Sequence, residues 1–198
     1  MRISKGIVLL IISSFLLLSL SGCLELRVAY IPDNLLTNGW HENVEKEESG
    51  SSYFGLEKWN ILVYENGDVS ALTITTIKTL IMMDKEELLK KIDSDIRNTC
   101  GDYGITVDGQ SKVSGSRMLA NGHESRYVIY NGTKNSEDYR IIGEVWSCSY
   151  SGISVMCIGM AKISDINGLE GWREIAGDPH GSIEGIKGEG LIYNINCH

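Results

Sequence analysis

The sequence predicts an α+β fold: a central antiparallel β-sheet of about six to eight strands flanked by one long helix and a shorter C-terminal helix. Three observations predict it. Asn66-Gly67 and Asn121-Gly122 each lie between strand-like runs, the strongest short-range sign of a β-hairpin. Residues 84–103 repeat their apolar positions with the period of a helix. No linker or internal repeat divides the remainder, so sheet and helices share one domain.

The elements follow in order. Pro32-Asp33-Asn34 turns an apolar lead, and residues 35–40 enter a strand. A second strand covers about residues 53–64. A two-residue turn at Asn66-Gly67 would set Val63 opposite Ser70 and Ile61 opposite Leu72. Both faces of that hairpin are partly apolar, which predicts cover on both sides. Asp84 caps the long helix, with Glu87 three residues on. Leu88, Leu89, Ile92, Ile96, Cys100 and Tyr103 fall on one face, and Gly101 and Gly104 stop the helix. An antiparallel meander follows: strands at 111–119 and 123–130, a polar loop at 131–138, then strands at 139–150 and 153–163. Residues 165–176 form the short helix, weakened by Gly168 and Gly171. Asp178-Pro179-His180-Gly181 is a turn, and residues 191–197 make a last strand.

The beginning of the chain is of another kind. Arg2 and Lys5 precede an almost wholly apolar run to Leu20, and Leu20-Ser21-Gly22-Cys23 closes it. A basic head, an apolar run too short to span a bilayer comfortably and small residues before a cut make a secretory signal. The closing four residues resemble the lipobox of prokaryotic lipoproteins. That resemblance implies cleavage before Cys23, lipidation of Cys23 and tethering at the outer face of the cytoplasmic membrane. The expected organisation is a signal peptide at 1–22, a lipidated N-terminus and tether at 23–34, and a single domain at 35–198. An uncleaved membrane anchor is the alternative.

The formal net charge is −8, and removal of Arg2 and Lys5 takes it to −10. So acidic a domain repels nucleic acid and anionic headgroups, and is expected to hang from its lipid rather than lie flat. Beyond Cys23 the cysteines are Cys100, Cys148, Cys157 and Cys197, an even number in a compartment that permits disulfides. Cys148 and Cys157 lie on two arms of one hairpin. Cys100 with Cys197 would close about a hundred residues, worth roughly 4.7 kcal/mol in the chain-entropy model. These are the expected pairs, with the crossed pairings open. Zinc is the rival reading, but neither CxxC nor HxxxH spacing occurs.

The residues predict no catalytic group, cofactor or metal. No G-x-S-x-G is present, and Ser147 and Ser149 beside Cys148 read as strand residues. His41, His123, His180 and His198 are scattered through turns and ends, as surface residues are. The glycines at 185, 188 and 190 match no phosphate loop. Asn131-Gly132-Thr133 is a glycosylation sequon, expected in an exposed loop.

The order strand pair, hairpin, long helix, meander and Trp-bearing helix is similar to the PsbP family of photosystem extrinsic subunits and their relatives. The residues carrying the likeness are Asn38-Gly39-Trp40, the helix capped at Asp84, Asn121-Gly122-His123-Glu124-Ser125-Arg126-Tyr127 and Trp172-Arg173-Glu174-Ile175. The resemblance implies a central antiparallel sheet with flanking helices and an accessory or binding role. The functional expectation is therefore a lipid-anchored extracytoplasmic binding or accessory module, without catalytic activity. Its partners would be the membrane and another membrane or surface protein, and not nucleic acid. A membrane-tethered hydrolase is the alternative. A solute-binding lipoprotein would need two lobes, more than the 176 residues left when 22 of 198 are removed.

Overall fold

The computed structural model describes residues 25–164, 166–177 and 190–198. Eight strands form one antiparallel sheet: β1 (His41–Glu42), β2 (Glu48–Ser52), β3 (Glu57–Asn66), β4 (Ser70–Thr79), β5 (Thr106–Met118), β6 (Glu124–Lys134), β7 (Glu137–Cys148) and β8 (Ile153–Lys162). Helix α1 (Lys85–Asp102) follows β4, and α2 (Ile166–Ala176) follows β8. The strand order is β1-β3-β4-β8-β7-β6-β5, with β2 paired to β3. The predicted α+β architecture is the one observed.

Helix α1 forms where its local chemistry is strongest. The Asp84 carboxylate accepts from the backbone N–H groups of Glu86 and Glu87 at 2.8 and 2.9 Å, which satisfies two orphan donors of the first turn. Leu88, Ile92, Ile96 and Cys100 recur every four residues and are all fully buried. Each large apolar side chain among them contributes about 1.5–3 kcal/mol by leaving water. Gly104 takes φ +70°, and the Ile105 N–H returns to the Cys100 carbonyl at 2.8 Å, closing the end.

Both faces of the central strands are covered. Helix α1 packs with Val128, Tyr130, Ile141, Val145, Met156 and Ile158. On the other face α2, the segment around Ala29 and Ile31, and the final segment from Leu191 pack over Tyr64, Leu72, Ile142, Trp146 and Cys157. Two glycines on the central pair let the helices come close. A Cβ on Gly143 would stand 2.7 Å from Ile96 Cδ1, and one on Gly159 would stand 2.3 Å from Ile175 Cγ2. Each helix thus presses an isoleucine into a glycine gap on its own side of the sheet.

The structure differs from the sequence reading in several places. The loop at Asn66-Gly67 holds residues 67–69, so Leu72 pairs with Tyr64 and Ile74 with Leu62. That brings four apolar side chains onto one face, and burial sets the register. Residues 53–55 form a 3-10 turn, and β3 starts later than expected, at Glu57. The polar loop expected at 131–138 shrinks to a turn at Asn135 and Ser136, both with positive φ. Asn131 therefore lies within β6, exposed but paired with Asp108 and Arg140 in the ladders. The last strand is instead a 3-10 turn at Ile192–Asn194 with one bridge, Tyr30 to Asn196. The body also begins earlier than residue 35, because Ala29 and Ile31 are buried in the core and Leu26 and Val28 pack against it. The turn at 178–181 and the glycines at 185 and 188 lie outside the described residues.

Gly159→Ala is expected to destabilise the fold by about 1–3 kcal/mol, the usual result of overfilling a packed interior. Urea unfolding should report it as a lowered midpoint with an unchanged slope.

Candidate functional site

Strands β7 and β8 are buried on both faces through their middle, so exposed chemistry on this central pair is confined to their ends. One end collects the start of β3, the end of β4, the start of β8, the end of β7, the start of β6 and the end of β5. The ladder pairs Glu57–Thr79, Ile77–Ser154, Cys148–Ile153 and Met118–Glu124 define it.

Cys148 is the last residue of β7 and shares its face with Ile142 and Trp146. Cys197 comes to it from the final segment. That segment is anchored by Ile192 and Ile195 in the core and by paired backbone bonds between Tyr30 and Asn196 at 3.0 and 2.9 Å. The turn between β5 and β6 clasps the same segment. Asn121 Nδ2 donates to the Ile195 carbonyl at 3.0 Å and to Cys197 Sγ at 3.6 Å. The Ala120 N–H donates to the Tyr193 carbonyl at 3.0 Å. Asn121 Oδ1 also accepts from the His123 N–H at 3.1 Å, which fixes the turn that carries this histidine.

Four side chains meet there. Ligand-type atoms of His123, Cys148, Cys197 and His198 all lie within 4.8 Å of one another. His198 Nδ1 is 3.7 Å from Cys148 Sγ and 3.6 Å from Cys197 Sγ. The two imidazole rings meet edge to face, with centroids 5.5 Å apart at 86°. Both thiols are buried, while His198 lies at the surface beside Tyr150. His123 Nε2 is buried without a hydrogen-bond partner. Burial, followed by the neighbouring His198 and Lys85, holds the His123 pKa below the usual imidazole value. Burial also pushes the Cys197 thiol up to about 12, with the adjacent Cys148 adding to the effect.

The four cysteines Cys100, Cys148, Cys157 and Cys197 are free and buried. Neither expected disulfide pair is brought together. Cys100 packs on the α1 face of the sheet and Cys197 on the opposite face. In the β7–β8 ladder Cys148 opposes Ile153 and Cys157 opposes Glu144. Four ladder steps of about 3.4 Å separate the two, well beyond the roughly 7 Å Cα limit for a bridge. The juxtaposed pair is Cys148 with Cys197. Of the histidines, His41 lies exposed on β1, His123 and His198 converge, and His180 lies outside the described residues. Ser147 Oγ donates to the Met83 carbonyl at 3.2 Å. Cys23 and the apolar run before it also lie outside the described residues.

A buried ion pair supports this region from within. Arg117 meets Glu144 with Nε at 2.8 Å from Oε1 and Nη2 at 2.6 Å from Oε2. Its Nη1 donates to the Ala176 carbonyl at the end of α2 at 2.7 Å. Ser125 Oγ donates to the same carboxylate. The pair ties β5, β6, β7 and α2 together, with the Glu144 side chain fully out of water.

The same end of the sheet carries exposed apolar groups. Leu56 precedes Glu57 and Leu80 follows Thr79, its ladder partner. Phe54, Leu56, Leu80, Ile81 and Met82 are all exposed, Ile81 at 85 %. The described chain begins here too, because Lys78 Nζ donates to the Glu25 carbonyl at 2.8 Å. Among the described residues no helix is long and apolar enough to cross a membrane. No protein-family model matches the chain, and no curated protein matches it.

Arg117→Met would leave the Glu144 carboxylate buried without its countercharge. It is expected to cost about 3–5 kcal/mol in urea unfolding, and the double variant R117M/E144L to recover most of that loss.

Proposed function

We propose that the chain is a lipid-anchored extracytoplasmic binding or accessory module without catalytic activity, held through Cys23 at the outer face of the cytoplasmic membrane. The observation that carries this reading is where the chain enters the fold. Cys23 stands two residues before Glu25, and Glu25 is bonded to Lys78 at the sheet end that exposes Phe54, Leu56, Leu80, Ile81 and Met82. A lipid on Cys23 would bring that rim to the bilayer. Each apolar side chain that then left water would add up to about 1.5–3 kcal/mol to the lipid's own hold.

The charge balance supports a contact confined to the rim. A net charge of −10, the chain's −8 less Arg2 and Lys5, works against a broad electrostatic attachment to anionic headgroups. The short reach from Cys23 to the buried Ala29 and Ile31 favours a domain standing on its end over one swinging on a long tether. The opposite end of the sheet, with the turns at residues 67–69 and Asn135-Ser136, would then face outward, free to meet another membrane or surface protein. The resemblance to the PsbP family belongs to the same proposal, supported by the order of hairpin, capped helix, meander and Trp-bearing helix.

Cys23→Ala is expected to block lipidation and the cleavage that follows it, so that the chain runs on a gel as the larger precursor and carries no lipid. Unchanged gel mobility would count against the lipid anchor.

A further inference from the structure

We propose that His123, Cys148, Cys197 and His198 form a binding site for a zinc-like divalent cation. Sequence spacing argues against such a site, since the four ligands come from three separate places in the chain: the β5–β6 turn, the end of β7 and the final segment. The fold brings them together. Bond lengths of about 2.3 Å to sulfur and about 2.0–2.1 Å to nitrogen, in a tetrahedron, place sulfur and nitrogen ligands about 3.6 Å apart and two sulfurs about 3.8 Å apart. His198 Nδ1 lies 3.7 and 3.6 Å from the two sulfurs, on those edges already.

Three further features point to a cation. His123 Nε2 is buried with no partner, an uncommon condition that a ligand would relieve. Asn121 Nδ2 directs an N–H toward Cys197 Sγ, the supporting bond that thiolate ligands take from their surroundings. The donor set of two thiolates and two neutral imidazoles is the one that suits zinc rather than magnesium or calcium. On binding, one divalent ion displaces the two thiol protons into solvent, so its two positive charges meet two thiolates and the buried centre is neutral. Four protein ligands fill the tetrahedron and leave no position for a reacting water, which makes the site structural. Its work is to fasten the final segment to the β5–β6 turn and the end of β7. A Cys148–Cys197 disulfide is the competing use of the same thiols. It would leave both imidazoles idle and His123 Nε2 still orphaned.

The test uses the full chain purified in detergent, stripped with a chelator and kept reduced, with Co2+ as the probe. One Co2+ per chain should bind with the intense ligand-field bands of a tetrahedral site and a thiolate charge-transfer band, and Zn2+ should displace it. His198→Ala, at the surface, should weaken binding by more than about tenfold with an unaltered circular dichroism spectrum, and Asn121→Ala by about tenfold. Cys100→Ser, on the opposite face of the sheet, should bind as the parent does. Three results would overturn the proposal. They are a weak octahedral spectrum, binding unchanged in both His198→Ala and Cys197→Ser, and peptide mapping of chain from native membranes that finds Cys148 and Cys197 joined and no stoichiometric metal.

Discussion

Burial of both faces of the central strands is the constraint on which the rest depends. An antiparallel sheet can leave one face to water, and this one does not. Strands β8 and β7 are buried on both sides through their middle, and an isoleucine of each helix sits in the space left by Gly143 or Gly159. The buried Arg117–Glu144 pair locks β5 to β7 beneath α2. With β8 and β7 closed on both faces, what these central strands offer a ligand, partner or membrane lies at their ends. That physical limit leads from the packing of the core to the sheet end where Cys148, the rim and Glu25 come together.

That end combines features that share no single element. The chain enters there beside Lys78, the exposed Phe54, Leu56, Leu80, Ile81 and Met82 flank the ends of β3 and β4, and the cysteine–histidine cluster lies a few strands along. Arg27 and Tyr150 join the regions, the guanidinium lying 6.0 Å from the ring centroid and the ring lying 5.5 Å from that of His198. A cation bound by the cluster would stiffen the scaffold next to the rim, so anchoring and metal binding would support each other without either depending on catalysis.

Much of the fold was legible in the sequence, and the reasons are local. Helix α1 reads clearly because Asp84 caps it and Leu88, Ile92 and Ile96 keep its period. The meander reads clearly because Asn121-Gly122 and Ser151-Gly152 mark turns that the structure keeps. The register at Asn66-Gly67 was not legible, since two and three loop residues suit the same dipeptide and only burial of Leu62, Tyr64, Leu72 and Ile74 chooses between them. The segment at 191–197 has the apolar content of a strand but buries Leu191, Ile192 and Ile195 through a 3-10 turn. The cluster was the least legible feature of all. Nothing local announces His123 or Cys148 as neighbours of Cys197-His198, because their meeting is a product of strand order. For the same reason the pairing of Cys100 with Cys197 looked reasonable until the sheet placed them on opposite faces.

The proposed orientation sets this sheet end against the membrane. Its most direct measurement is the depth of a solvent-sensitive fluorescent amino acid in lipidated protein reconstituted into vesicles, placed either at Ile81 in the rim or at Asn135 in the turn at the far end. The end-on arrangement predicts a blue-shifted emission at position 81 that is quenched by lipid-borne quenchers, with position 135 remaining fully in water. Emission from water at both positions, or membrane contact at position 135 alone, would contradict it.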